Sequence, residues 1–197
     1  MEKRPPWPYS IPAAKASPPS ARPPPMTDPD PQPTCYLCDA MLGGLARWLR
    51  AAGYDARYEY GIDDRELLRR AAAAGGTILS SDGPMFQRNV IRSGQVRALY
   101  VPQQLSRLEQ FRFVMRTLRL PLLPPRCMAC GGELAEVPKH AVAGEAPPLA
   151  YRNCDHFWRC GRCGKLFWRG THWQRITRLL ADLQCPTEGD GSSAPPR

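Results

Sequence analysis

The sequence predicts an α/β protein: a parallel sheet with helices on both faces, followed by a small C-terminal ribbon. Short apolar segments alternate with segments of helical periodicity over residues 36–118, which is typical of a parallel sheet covered by helices. Further along the chain, two Cys-x-x-Cys pairs share one spacing, Cys127 with Cys130 and Cys160 with Cys163. Paired cysteines of this kind indicate a ribbon folded around a structural zinc ion.

The predicted elements of the α/β part follow one another closely. The segments predicted as strands cover residues 36–38, 54–60, 77–80 and 97–101. The segments predicted as helices cover residues 41–52, 64–74, 85–91 and 105–118. Gly53 ends the first helix and Gly75 ends the second. Asp63 or Asp64 caps the second helix, and Pro84 opens the third.

The two ends of the chain differ in composition from its middle. Proline crowds the first segment and small polar residues fill the last, so we expect both to be disordered. Both Met1 and Met26 remain open as translation starts, because Met26 lies inside the first of these segments. The predicted organisation is a disordered segment, a main domain, a zinc ribbon with a C-terminal helix and a disordered tail: residues 1–34, 35–122, 123–183 and 184–197.

The net charge of +9 belongs to the predicted folded part. Of 27 basic and 18 acidic residues, four and three lie in residues 1–34, and one and two lie in residues 184–197. The remainder, 22 basic and 13 acidic, again gives +9. A basic domain of this kind favours nucleic acid as a partner, because its cations displace counterions from phosphates. Solubility alone is the alternative.

Targeting signals do not appear in the sequence. Lys3 and Arg4 are not followed by the apolar stretch of a signal peptide. No run reaches the ~20 apolar residues that a membrane span needs. We therefore expect a cytoplasmic protein and a reducing compartment, in which cysteines bind metal more often than they form disulfides.

Each of the two Cys-x-x-Cys pairs is followed by glycine, Gly131 and Gly164. Glycine there lets the backbone turn so that amide groups face the thiolates. Four thiolates complete the closed tetrahedral shell of one structural zinc ion. Buried free cysteines would not explain the repeated spacing.

The remaining cysteines are predicted to have no role in metal binding. Cys35 and Cys38 have the same spacing, but Cys38 falls inside a predicted strand, so we expect both to pack as small apolar residues. Cys154 and Cys185 are unpaired by spacing. His156 could replace a zinc ligand, although the cysteine set is already complete.

Acidic residues follow the predicted strands. Asp39 ends the first strand, Asp82 ends the third, and Asp63 and Asp64 precede the second helix. Ligands bind beyond the carboxyl ends of an open parallel sheet, and carboxylates suit magnesium or manganese. The pattern is compatible with metal-assisted cleavage of phosphodiesters. The alternative is that these residues only cap a helix and shape a turn.

Five segments together resemble a known family. They are residues 39–55, 62–68, 78–82, 126–134 and 157–173. In order and in composition they resemble the Mut-seven C-terminal RNase domain family, which belongs to the PIN-like nucleases. The resemblance extends over about residues 37–176, and several motifs agree in their order along the chain.

The resemblance implies a PIN-like fold, a ribonuclease site that uses a divalent ion, and an appended zinc ribbon. By position, Asp39 matches the acid that closes the first strand, and Asp64, with Asp63 beside it, matches the acid at the second helix. Asp82 matches the acid of the family's Thr-Arg-Asp segment. Magnesium or manganese on Asp39, Asp64 and Asp82 would activate water for attack on the RNA phosphodiester.

Three positions depart from the family pattern. The Thr-Arg-Asp segment reads Ser80-Ser81-Asp82, which keeps a hydroxyl and loses the arginine. Pro84 stands at an often acidic position, and Gly44 stands where lysine is usual. Each change removes a charge near the predicted site, so the changes bear on catalytic strength more than on fold.

Aromatic and basic residues are mixed near the C-terminal end. Such mixtures can bind RNA by stacking and phosphate contact, or the tryptophans can pack the ribbon, which we favour for Trp158 and Trp168. The predicted RNA contacts are Arg47, Arg50, Arg169, His172 and Arg175. For Arg47 and Arg50 solvation is the alternative, and for His172 we favour a hydrogen bond between ribbon and main domain.

The sequence as a whole predicts a ribonuclease that depends on a divalent metal and acts on RNA. A non-catalytic RNA-binding adaptor with a degenerate acidic site is the main alternative. A zinc-ribbon partner within a protein complex is a third.

Overall fold

The structure is a computed structural model that describes residues 35–181. The predicted disorder of residues 1–34 and 184–197 lies outside the described residues. Within the described part, no helix combines the length and the apolar character needed to cross a membrane.

The main sheet has four parallel strands in the order β2-β1-β3-β4. The strands are β1 (Tyr36–Cys38), β2 (Ala56–Tyr58), β3 (Thr77–Ser80) and β4 (Arg97–Tyr100). Leu37 in β1 lies opposite Arg57 in β2 and Ile78 in β3. Because β1 and β3 are central and buried, their sequences are short apolar runs.

The helices of this part are α1 (Gly43–Ala51), α2 (Asp64–Ala74), α3 (Asn89–Arg92) and α4 (Arg107–Thr117). Gly75 ends α2 in the left-handed conformation, with φ of 58°. Ser106 caps α4, and its side chain and that of Glu109 form a capping box. The predicted helices are confirmed except for the third, which was predicted as continuous over residues 85–91.

The third helix is instead broken into a 3-10 turn, Pro84–Gln87, and the short α3, with an extended residue, Arg88, between them. Met85 and Val90 are five residues apart, so on a continuous helix they would point about 140° away from each other. The break lets both pack against the same apolar cluster beneath α2.

Helices cover both faces of the main sheet. On one face, α2 and the residues after β3 surround a core that includes Leu37, Leu67 and Ile78. On the other face α1 packs against α4, where Trp48 stacks on Phe111 with ring centroids 5.6 Å apart. The crossovers β1-α1-β2 and β2-α2-β3 run in opposite directions along the sheet. Since such crossovers are right-handed as a rule, opposite directions place the two helices on opposite faces.

A second, antiparallel sheet follows, in the order β5-β6-β7. Its strands are β5 (Leu134–Val137), β6 (Phe157–Cys160) and β7 (Leu166–Trp168), accompanied by α5 (Pro148–Asn153) and α6 (Thr171–Ala181). A small core of Val142, Ala146, Cys154 and Phe157 lies beneath it. The predicted fold class, a parallel α/β sheet with a small ribbon, is confirmed.

Candidate functional site

The four predicted zinc ligands lie together. The Sγ atoms of Cys127, Cys130, Cys160 and Cys163 are all within 4.8 Å of one another. Cys127 and Cys163 are 3.7 Å apart, and Cys130 and Cys160 are 3.5 Å apart. Zinc–sulfur bonds of 2.3 Å in a tetrahedron place the sulfurs about 3.8 Å apart, whereas a disulfide bond needs about 2 Å. The cluster therefore has the dimensions of a four-thiolate zinc shell.

The two turns that carry these cysteines, residues 127–132 and 160–164, are called the first and second knuckle. Gly131 and Gly164 both have positive φ, 77° and 71°, which a residue with a side chain rarely adopts. In the second knuckle the amide of Arg162 donates to Cys160 Sγ at 3.4 Å. Burial raises the pKa of Cys127 to about 12, whereas the pKa of Cys160, despite its burial, is lowered by the amides of Cys163 and Arg162 and by the neighbouring thiols. The second knuckle thus favours the thiolate that zinc requires.

Arg50 joins the main domain to the first knuckle. It is only 6% exposed. Its guanidinium donates to the carbonyl of Ala56 at 2.7 Å, and to those of Met128 and Ala129 at 3.2 and 2.8 Å. Burial lowers the pKa of Arg50. The prediction that Arg50 contacts RNA is corrected accordingly: two of the three bonds hold the first knuckle against the main domain, the third stays within the main domain, and the side chain is not at the surface.

Cys154 and His156 of the ribbon have contacts of their own outside the cysteine cluster. Cys154 is buried, and its thiol donates to the Arg169 carbonyl at 3.4 Å. His156 lies 2.8 Å from a carboxylate oxygen of Glu136 and stacks on Trp158. Cys185 lies outside the described residues.

Cys35 and Cys38 are both buried in the main domain, as predicted for small apolar residues. Cys35 belongs to the core beneath α2. Burial raises the pKa of Cys38 to about 12, so it is an inert thiol.

Asp39 and Asp82 follow the carboxyl ends of the two central strands, and the hydroxyl of Ser80 is hydrogen-bonded to both residues. Asp39 is 8% exposed, and its Oδ1 accepts the amide of Ala40 at 2.5 Å. Its Oδ2 accepts the hydroxyl of Ser80 at 2.7 Å. The same hydroxyl accepts the amide of Asp82 at 3.0 Å. Ser80 is fully buried, so this link fixes the Asp39 side chain and the backbone of Asp82.

The sequence left open whether Asp63 or Asp64 caps α2, and the structure shows that Asp63 does. Asp63 is the N-cap of α2 and accepts the amide of Glu66 at 3.0 Å. Asp64 lies in the first turn and pairs with Arg88 at 2.9 Å, with both side chains partly exposed. The pair occupies Oδ2 of Asp64, so an ion bound to that oxygen would compete with Arg88.

The carboxylates do not form a tight cluster. Among the side chains that the structure describes, only the four cysteines form a set of three or more His, Cys, Asp or Glu whose ligand atoms all lie within 4.8 Å. Asp39, Asp64 and Asp82 are thus at one edge of the sheet by topology, without converging on one point. Their oxygen donors still fit magnesium or manganese, which prefer carboxylates and keep several waters.

The family model of the Mut7-C RNAse domain matches residues 34–180, which include both the acidic edge and the cysteine cluster. The chain belongs to the Mut7-C RNAse domain family. The exonuclease mut-7 homolog of Homo sapiens is 22% identical over 237 aligned positions, which cover 81% of this chain and 27% of that protein. The chain thus spans about a quarter of the relative's length. No solved structure matches the chain.

The positions that depart from the Mut7-C pattern have specific surroundings. Ser81, in place of the arginine, is buried and donates to the carbonyl of Val101 at 2.6 Å. Gly44, in place of the lysine, lies beneath the side chain of Arg107 from α4: a Cβ there would be 2.7 Å from Arg107 Cδ. A cation from another helix therefore lies beside the position where the family usually has its own.

The remaining predicted RNA contacts differ in their exposure. Arg47 is exposed on α1, and Arg175 is exposed on α6. The guanidinium of Arg169 lies over the ring of Trp158, 5.6 Å from its centroid. Trp158 itself is 3% exposed, which confirms that it packs. The side chain of His172 lies outside what the structure describes.

Sequence reasoning missed three residues near the acids: Ser80 as a link, Arg88 as the partner of Asp64, and Arg107 over Gly44. Ser80 could have been identified from the sequence, because a hydroxyl two residues before the last acid is part of the family segment. Arg88 and Arg107 carried none, since only the fold brings them to the acidic edge.

Proposed function

We propose that this protein is a ribonuclease that uses magnesium or manganese at the acidic edge of its parallel sheet. The observation that carries the proposal is the link from Asp39 through Ser80 to Asp82 in a member of an RNAse domain family. Both carboxylate oxygens of Asp39 accept hydrogen bonds, which holds the side chain in one orientation at the end of β1. A carboxylate held in this way is suited to bind a divalent ion.

In this proposal Asp39, Asp64 and Asp82 hold the ion, which would activate water and stabilise the leaving oxygen. Ser80 orients Asp39 by donating to its Oδ2. Asp63 keeps the first turn of α2 in place by capping it, and so positions Asp64. Arg88, once released from Asp64, is free to contact an RNA phosphate.

The cysteine cluster holds one structural zinc ion in this proposal. The sulfur–sulfur distances support it, and the ligand set leaves no open position for catalysis. RNA contacts are assigned to Arg47, Arg169 and Arg175, of which Arg47 and Arg175 are exposed. Arg50 is not among them, because it is buried between the two modules.

A non-catalytic RNA-binding adaptor is the alternative. The observation that favours it is the low density of charge at the site: Ser81 replaces a cation, and Pro84 replaces an acid. Arg88 also neutralises Asp64. An adaptor would bind RNA and leave it intact.

A cleavage assay separates the two. Mixed RNAs are incubated with the zinc-loaded protein with and without manganese, beside Asp39→Asn. The ribonuclease cleaves only with the ion, and the variant does not cleave. Binding without cleavage under all conditions would establish the adaptor instead.

A further inference from the structure

A groove of about 410 Å³ lies between α1, the first knuckle and the C-terminal elements. Arg47 of α1 lines it, as do Met128 and Ala129 of the first knuckle. Residues of β7 and α6, including Trp168 and Trp173, line it as well. The groove is separate from the acidic edge, and its volume lies within the range of ligand sites.

The charge of this groove is positive. Arg47 and Lys165 both line it, and both are exposed. Of the described residues that line it, none is acidic. A groove with two cations and no acid would attract a phosphate backbone.

The groove also presents aromatic rings. Phe167, Trp168 and Trp173 are all partly exposed along it. Trp168 packs on the small ribbon core as well, so it is anchored and presents only part of its surface. Rings held in this way are suited to stack on the bases of single-stranded RNA, because those bases are not paired with a second strand.

We propose that this groove binds unpaired nucleotides of single-stranded RNA, with bases stacked on Phe167 and Trp173 and phosphates contacting Arg47 and Lys165. The inference rests on the proposed function and adds to it a substrate-binding site outside the acidic edge. Duplex RNA does not fit this mode, because its bases are already stacked and paired.

Two features of the fold support a preformed site. Met128 and Ala129 line the groove, and their carbonyls accept hydrogen bonds from the buried guanidinium of Arg50. Helix α1 begins at Gly43, shortly after Asp39 in the sequence. Arg47 lies four residues further on, which is about 6 Å along the helix axis from that end. A strand of RNA bound in the groove is therefore positioned to continue toward the acidic edge.

The test is binding of fluorescently labelled oligouridine to the zinc-loaded full chain, without added divalent ion, measured by anisotropy over a range of salt. Phe167→Ala and Trp173→Ala should weaken binding roughly fivefold to a hundredfold. Arg47→Ala should lower the salt slope by about 0.7, the value for one phosphate contact on a single strand. A duplex of the same length should bind more weakly than the single strand.

Matched controls are available at positions away from the groove. Phe113→Ala removes a partly exposed ring from α4, and Arg92→Ala removes an exposed arginine from α3. Both should bind as wild type. Arg47→Ala changes an exposed position, so loss of folding will not obscure its result.

Two outcomes would overturn the proposal in distinguishable ways. If the groove variants bind as tightly as the controls while the wild type still cleaves RNA, the groove site is wrong and the proposed function stands. If the wild type binds no RNA at low salt, the groove site and the proposed function are both wrong, and a protein becomes the expected partner of the groove.

Discussion

At the residue scale, Ser80 and Asp63 show how polar groups prepare the acidic edge. Ser80 uses its single hydroxyl twice, as donor to Asp39 and as acceptor from the amide of Asp82. Asp63 caps α2 and leaves Asp64 free to face Arg88. These contacts give each residue a distinct expected phenotype.

Ser80→Ala should lower both stability and cleavage. The lost hydrogen bond to a charged group is worth about 2 kcal/mol, and Asp39 would lose the group that orients it. Urea unfolding and manganese-dependent cleavage measure the two effects. Ser81→Ala is the matched control, since it removes a buried hydrogen bond to Val101 and should lower stability alone. Equal loss of cleavage in both variants would contradict the special role of Ser80.

Substitutions at Asp63 separate a cap from a metal ligand. Asp63→Ala should cost about 1 kcal/mol of stability, whereas Asp63→Asn should cost little, because asparagine is an equally good N-cap. If Asp63 only caps, Asp63→Asn also keeps full cleavage activity. Loss of cleavage in the asparagine variant at unchanged stability would instead make Asp63 a ligand of the ion.

At the element scale, hydrophobic periodicity and cap residues predicted most of the fold. The four strands of the main sheet were found at their predicted places, because buried central strands such as β3 leave an apolar run bounded by turn residues. The break at Arg88 could not be predicted. It depends on Met85 and Val90 sharing a tertiary cluster, which no local pattern encodes.

The role of Arg50 could not be predicted from the sequence either, because it depends on how two elements pack together. Its place on α1 next to an apolar stripe is compatible with solvent or phosphate, and only the docking of the first knuckle decides otherwise. Arg50→Ala would strip three carbonyls of their donor and should destabilise the protein by about 3 kcal/mol. Arg47→Ala, on the same helix but exposed, should change stability by less than about 0.5 kcal/mol. Urea unfolding of the two variants tests this, and equal stabilities would contradict the link.

The zinc cluster is the second element-scale feature, and its ligands were predicted from spacing alone. Elemental analysis after dialysis should find about one zinc per chain. Cys127→Ser should release it and loosen the ribbon, because metal binding and folding of such a module are coupled. Cys154→Ser, at a buried cysteine outside the cluster, should keep the metal. A folded wild type without zinc would refute the assignment.

At the scale of the whole molecule, a chain with a net charge of +9 carries acidic residues at one edge of its main sheet. The charge and the cysteine spacing were visible in the sequence, and so were the acids at strand ends. The separation of those acids was not, because it depends on how α2 and the broken third helix pack beside the sheet. Carboxylates held near one another repel, and a bound cation reverses the sign of that interaction.

The central claim is that Asp39, Asp64 and Asp82 bind a divalent ion that RNA cleavage requires. The most direct measurement is the melting temperature of the zinc-loaded protein with and without manganese, recorded beside RNA cleavage for wild type, Asp39→Asn and Asp82→Asn. Manganese should stabilise the wild type by mass action and support cleavage, and both variants should lose both effects. If the variants keep cleavage, or if manganese stabilises them as much as it does the wild type, the acids are only caps and turn formers, and the proposed site is wrong.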